Sequence, residues 1–232
     1  MNDDDVKVKL CGMTTPEGVI LCMNFGADVL GFVTEYPVQV PWNLKSDEAE
    51  RLISYVKKPH RSCVVTGGTP EKVINLAKRL KPSLVQLHYK ETLKDTKIIS
   101  AELKSLGIET IKTVPPGERE RLDMFQTTDL ADIVESLCQT DVFALLVDSR
   151  NPNNASGRGR TTDLSFYLKV RDLSTKPVIL AGGITPENVF KILERTNAGY
   201  IDIMTGIEEV PGVKDENKVQ KLFEELRKFR GV

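Results

Sequence analysis

The apolar positions of this chain fall into short runs separated by amphipathic stretches. Val29-Leu30-Gly31-Phe32-Val33, Leu84-Val85-Gln86-Leu87-His88, Phe143-Ala144-Leu145-Leu146-Val147-Asp148, Pro177-Val178-Ile179-Leu180-Ala181 and Tyr200-Ile201-Asp202-Ile203-Met204 are nearly unbroken apolar segments. Such runs mark strands covered on both faces. Val6 to Leu10, with lysines on alternate positions, Arg61 to Val65 and Glu109 to Val114 complete a set of predicted strands. Between them lie helical stretches with recognisable starts. Thr15-Pro16-Glu17, Ser46-Asp47-Glu48, Thr69-Pro70-Glu71 and Thr185-Pro186-Glu187 each place a hydroxyl before an acidic first turn, three of them with a proline that cannot donate there anyway. Helices are predicted over about 16–25, 46–57, 70–80, 93–106, 129–138 and 163–173, from Thr185 onward, and over 215–230. The long, charged connection Pro115 to Thr128 is predicted to be a mobile loop.

Strand and helix thus alternate eight times, which specifies a parallel sheet with helical crossovers. In a chain of 232 residues, eight repeats favour the closed (β/α)8 barrel, the TIM-barrel class of α/β folds, over an open doubly wound sheet. No Gly-x-Gly-x-x-Gly follows the first strand, which argues against a dinucleotide enzyme. With no low-complexity segment or linker, residues 1–232 read as a single domain, the acidic Met1 to Asp5 being a disordered tail.

Charge and cysteine usage narrow the function. The formal net charge of −1 supplies no field to recruit nucleic acid or an anionic membrane. No apolar run approaches the roughly 20 residues of a membrane span, and the N-terminus lacks the apolar core of a secretory signal. Cys11, Cys22, Cys63 and Cys138 are widely spaced, and His60 and His88 lie far apart. The pattern reads as reduced thiols of a cytoplasmic protein, with no metal site. Because the apolar helix positions can all face the barrel, a monomer or a homodimer is expected.

In this fold the active site lies where the strands end at their carboxyl side. Cys11, Gln86, His88, Asp148, Gly182-Gly183 and Thr205-Gly206 occupy those ends. The two glycine-bearing turns follow the seventh and eighth strands, the usual phosphate site of the fold, where glycine lets backbone N–H groups approach an anion. Cys11 and Asp148 end the first and sixth strands. A lone cysteine is often only a small buried hydrophobe, and a lone aspartate often only a cap. A thiol and a carboxyl facing one phosphorylated ligand, however, suit proton transfer. A thiol with a pKa of about 8.5 needs a nearby positive charge to ionise near neutrality. Lys9 stands two residues before Cys11 and either supplies that charge or points into the barrel bore.

Several strings, in order along the chain, resemble the phosphoribosylanthranilate isomerase family of tryptophan biosynthesis. They are Lys9-Leu10-Cys11-Gly12-Met13-Thr14, Ala27-Asp28 with Gly31-Phe32, Val85-Gln86-Leu87-His88, Leu146-Val147-Asp148-Ser149, Gly157-Arg158-Gly159 leading to Asp163, Leu180 to Val189, Asp202 to Glu208, and Pro211-Gly212-Val213-Lys214-Asp215. The resemblance implies an Amadori rearrangement of an N-linked ribose 5-phosphate, without metal or organic cofactor. It implies Asp148 as general acid at the ring oxygen and Cys11 as general base at C2. Lys9, Gln86, His88, Gly157, Gly159 and Asp202 are implied as substrate-binding residues, and Gly182, Gly183, Thr205 and Gly206 as the phosphate site. Three positions depart from the family. Trp42 stands where the family's arginine pairs with the anthranilate carboxylate, and the loop Thr34 to Lys45 contains no arginine. Lys45 is the cation that this loop offers instead. Met204 replaces a serine, and Tyr89 a glycine. A related isomerase acting on another phosphoribosyl-amine, with Trp42 stacked on its aglycone, and a non-catalytic phosphate-binding barrel are the alternatives. Retention of both Cys11 and Asp148 speaks against the second.

Overall fold

The computed structural model describes residues 6–148 and 164–231. Its frame is a closed parallel barrel in the order β1 (Lys7–Leu10), β2 (Val29–Val33), β3 (Arg61–Thr66), β4 (Leu84–Leu87), β5 (Glu109–Thr113), β6 (Ala144–Asp148), β7 (Val178–Ala181) and β8 (Tyr200–Ile203), with β8 pairing back onto β1. Around it run α1 (Pro16–Phe25), α2 (Ser46–Ile53), α3 (Pro70–Leu80), α4 (Leu93–Ser105), α5 (Glu118–Phe125), α6 (Leu130–Cys138), α7 (Leu164–Leu173), α8 (Val189–Thr196) and α9 (Glu216–Arg230). Each strand faces two ways because its side chains alternate. Val6, Val8 and Leu10 pack outward under the helices with Leu30, Phe32, Leu145 and Val147. Cys11 joins Cys63, Val65, Leu84, Ile111, Leu146, Ile179 and Tyr200 inside the bore. Among the described residues, no helix is long and apolar enough to cross a membrane.

Two helix starts follow the predicted chemistry, whereas Ser46, expected to cap α2, is its first residue, and Lys45 stands at the cap with no side-chain cap hydrogen bond. Thr15 caps α1 by accepting from Gly18 N, and Thr69 caps α3 by accepting from Lys72 N, each with proline in the first turn. Gly26 takes a φ of 99° to close α1, a conformation that costs glycine little.

Four expectations need correction. Residues 115–128 are not a featureless loop, for α5 occupies their middle. Arg121, buried on that helix, donates to the carbonyls of Pro115, Pro116 and Thr128 and ties the segment closed on itself. Its charged composition hid an internal cap. The helix predicted to run to about residue 57 ends at Ile53. The helix predicted from Thr185 starts at Val189, because Asn188 turns its side chain back to Thr185 N and Gly183 O and makes Thr185 to Asn188 a turn. Finally, the stretch before the last helix, which carried no predicted element, contains a hairpin of β9 (Glu208–Val210) and β10 (Val213–Lys214).

Candidate active site

The Cys11 side of the mouth is set by strand register. Lys9 on β1 lies opposite Asp202 on β8, so both side chains enter the bore and meet at 2.8 Å. Lys9 is fully buried, and ion pairing is the condition on which such a charge survives burial. Burial pushes its ammonium toward neutrality, but Asp202, then the thiols of Cys11 and Cys63, act more strongly and hold it charged beyond the usual lysine range. Cys11 sits directly above, buried at the end of β1, with its backbone N–H on Ile203 O. Burial pushes its thiol up from the ordinary value, and Lys9 is the largest influence in the opposite direction. The thiol fits because β2 carries Gly31: a Cβ there would come within 2.6 Å of Cys11 Sγ.

Around the ring, β7 and β8 separate this side from β6. Gly182 and Gly183 both take positive φ, 91° and 65°. Thr205 opens a short 3-10 turn, Thr205–Ile207. Within it a Cβ on Gly206 would lie 2.0 Å from the carbonyl oxygen of Ile184. The turns after β7 and β8 therefore touch backbone to backbone, and only glycine permits that approach. The four predicted phosphate-site residues form one continuous rim.

Asp148 ends β6, buried, with its Oδ2 3.9 Å from His88 Nε2. His88 follows β4, and its Nδ1 lies 2.8 Å from the hydroxyl of Thr113 and 3.1 Å from the amide nitrogen of Gln86. Nδ1 is thus engaged by Gln86 and Thr113, and Nε2 is the ring nitrogen turned toward Asp148. Beside this pair a cleft is lined by His88, Tyr89, Thr113, Pro115, Pro116, Met124 and Asp148. Among the described residues, two buried acceptors of the mouth, Gln86 Oε1 and Asp202 Oδ1, have no hydrogen-bond donor. Gly157 and Gly159 lie outside the described residues.

The three departures from the family resolve into contacts. Trp42 is buried, and its indole N–H is shared between both oxygens of Glu208, at 3.0 and 3.2 Å. Lys45 is the exposed residue preceding α2. Tyr89 packs edge-on against Tyr36, whose hydroxyl donates to His88 O at 2.7 Å. Gly67 makes room for it, since a Cβ there would meet Tyr89 Cβ at 2.4 Å. Met204, partly buried, packs on the bore cluster near Gly12.

Sequence reasoning missed Thr113, Tyr36 and Glu91 as parts of the mouth. Glu91 is buried and accepts from the N–H groups of Gly68 and Tyr89 while pairing with buried Lys112 at 2.8 Å. It thus fixes the turns after β3 and β4 to each other. An acidic residue three positions after a strand was the available signal, indistinguishable in sequence from a solvated loop charge. Lys72 was also missed. From the first turn of α3 it reaches back to the carbonyls of Gly67 and Glu35.

Residues 8–225 match the family described as N-(5'phosphoribosyl)anthranilate (PRA) isomerase. The N-(5'-phosphoribosyl)anthranilate isomerase of Methanosarcina acetivorans is 32% identical over 95% of this chain and 93% of its own length. The solved structure of phosphoribosyl anthranilate isomerase from Thermotoga maritima superposes with a TM-score of 0.77 at 26% identity, covering 96% of this chain and 99% of that one. The Thermus thermophilus counterpart gives a TM-score of 0.75 at 26% identity, over 97% and 100%. With the barrel, the strand-end residues and these likenesses in agreement, the chain belongs to the phosphoribosylanthranilate isomerase family.

Proposed function

We propose that Cys11 and Asp148 carry out the isomerisation of N-(5'-phosphoribosyl)anthranilate in this chain, as general base and general acid. The observation that carries the reading is their placement. Strands β6 and β1, which present the two groups, flank β7 and β8, whose glycine turns form one rim. A sugar phosphate held on that rim puts its reacting carbons between acid and base. Asp148 donates a proton to the furanose ring oxygen as the C1–O bond breaks, and the amine nitrogen supplies the electron pair for the C1=N bond. The Cys11 thiolate then removes the C2 proton, the C–H electrons form C1=C2, and the resulting enolamine tautomerises to the ketone. Both steps are proton transfers in which geometry comes first and pKa second.

Other residues take supporting roles. Lys9, sealed beneath the thiol, acts on it electrostatically. Asp202 and Gln86, each with a buried acceptor that no described residue donates to, suit sugar hydroxyls. His88, with its Nε2 3.9 Å from Asp148 Oδ2, is assigned to positioning the acid. Gly157 and Gly159 belong to the segment after the acid and are assigned to substrate binding on the resemblance alone. Because the phosphate rim is at β7 and β8, the aglycone projects to the opposite wall at β3 and β4. There stand the aromatic pair Tyr36 and Tyr89 and the ammonium of Lys72, which among the described residues donates to the carbonyls of Gly67 and Glu35. We assign the anthranilate carboxylate to Lys72, since a buried unpaired carboxylate is prohibitive and Trp42 has its N–H engaged on Glu208. Acid and base stand on one barrel, so a single copy suffices for the chemistry. The four unpaired thiols suit a reducing, cytoplasmic setting.

Loss of phosphoribosylanthranilate fluorescence on addition of the purified chain tests the reading. Turnover by wild type and its loss in Cys11→Ala are expected. Turnover of another phosphoribosyl-amine with none of this substrate would overturn the aglycone assignment.

A further inference from the structure

Two of the strings that carry the family resemblance have no part in the chemistry so far: the end of Asp202 to Glu208, and Pro211 to Asp215. The structure brings both onto the first. Thr14 donates to Gly212 O at 2.6 Å, and Lys214 Nζ donates to Cys11 O at 2.5 Å. Lys214 also pairs with Glu208 at 2.8 Å, side chains 1% and 4% exposed, and Glu208 in turn receives the indole N–H of Trp42. A Cβ on Gly12, which has a φ of 79°, would meet Trp42 and Met204 at 3.0 Å and Glu208 at 3.2 Å. The chain Trp42–Glu208–Lys214 thus closes directly over the residue after the thiol.

We propose that this buried chain positions the Cys11 base, Lys214 fixing the carbonyl at the end of β1 and setting a second ammonium near the thiol, while Trp42 secures Glu208. The proposal rests on the reading of Cys11 as the base. A buried Lys–Glu pair is poor as a device for stability alone, since apolar residues of equal volume often do as well. Its value lies in what it holds. Here it holds a backbone oxygen adjacent to the reactive side chain, and its positive end is the one nearest Cys11. The charged and titratable groups facing the thiol are Lys9 from β1, Asp202 from β8, Cys63 from β3, and Lys214 with Glu208 from the hairpin. Lys9 and Lys214 favour the thiolate, and Asp202 opposes it. Trp42 is the only tryptophan of the chain, so its emission reports on the same contact.

The test uses Lys214→Met, Lys214→Arg, and the double variant Glu208→Gln/Lys214→Met, which removes both charges and leaves no lone buried carboxylate. Each is compared with wild type and Cys11→Ala for kcat, KM, tryptophan emission and the pH dependence of Cys11 alkylation, read by peptide mass mapping. The proposal expects kcat to fall about tenfold or more in the two methionine variants with KM changed less than threefold. It expects Cys11 alkylation to require higher pH, the tryptophan emission to shift, and Lys214→Arg to recover part of kcat. Folded variants with wild-type kcat and an unmoved alkylation profile would overturn it. If Cys11→Ala keeps activity, the base reading fails separately. The alkylation profiles then decide whether the chain still sets the thiol's environment.

Discussion

The two sides of the mouth are built differently. The base side is sealed: Cys11 lies between two buried ion pairs, Lys9–Asp202 below and Lys214–Glu208 above, with Gly31 and Gly12 leaving room only for the atoms present. The acid side is looser. Asp148 faces a partly exposed histidine across 3.9 Å, next to a cleft whose far wall is Pro115, Pro116 and Met124. The contrast follows from the tasks. On the proposed roles, a thiol must be held as thiolate by fixed charges, which work best preorganised and out of water. A carboxyl that protonates a leaving oxygen must meet a group that moves as the ring opens.

The largest effects should come from removing either transferring group. Cys11→Ala should lower kcat by roughly a thousandfold or more, and Asp148→Asn by roughly a hundredfold or more, within the range for general acid–base groups. KM should hold within a few-fold in both, checked by steady-state fluorescence. If Asp148→Asn loses under about tenfold, about 1.4 kcal/mol of barrier, the acid is elsewhere.

Packing on the base side gives the next effect. Gly31→Ala places a methyl 2.6 Å from Cys11 Sγ. It should cost about 1–3 kcal/mol of stability and reduce kcat at least tenfold. An unchanged melting temperature and kcat would show that β2 can give way.

Alkylation with iodoacetamide sharpens the comparison through pH. Burial raises the thiol of Cys11, against the pull of Lys9. For half-buried Cys138, burial pushes up too, but hydrogen bonds from Ser174 and its neighbours outweigh it and hold the thiol below its ordinary value. A raised pKa means less thiolate at a given pH, so Cys138 should react at lower pH and Cys11 only as pH rises past the ordinary thiol range. The reverse order, read by peptide mapping, would mean that Lys9 and Lys214 outweigh burial.

The smallest effect concerns the aglycone. Lys72→Met should raise KM for phosphoribosylanthranilate about three- to tenfold and leave an aniline analogue lacking the carboxylate almost unaffected, as for loss of one charge-assisted hydrogen bond. Equal effects on the two substrates would return the carboxylate to another cation.

How much of this was legible depended on range. The strands were readable because Val, Ile and Leu runs covered on both faces need no knowledge of the partner strand, and α1 and α3 because their caps are local. The roles of Cys11 and Asp148 as strand-end groups followed from the same register. Long-range pairs were not legible. Nothing in Lys9 alone tells whether it faces solvent or Asp202, 193 positions away, and nothing in Trp42 alone shows that Glu208 holds its N–H. The helix α5 was hidden because its stabilising residue, Arg121, looks like one more surface charge until its three carbonyl partners surround it.

The central claim is that one thiol and one carboxyl on opposite flanks of a phosphate rim divide a proton-transfer reaction between them. Substrate deuterated at C2 tests it most directly, in wild type, Cys11→Ala and Asp148→Asn, by single-turnover fluorescence. The account predicts a primary isotope effect in wild type, no detectable C2 transfer in Cys11→Ala, and in Asp148→Asn a slow reaction whose isotope effect is diminished because ring opening has become limiting. A full isotope effect and near wild-type rate in Cys11→Ala would contradict it.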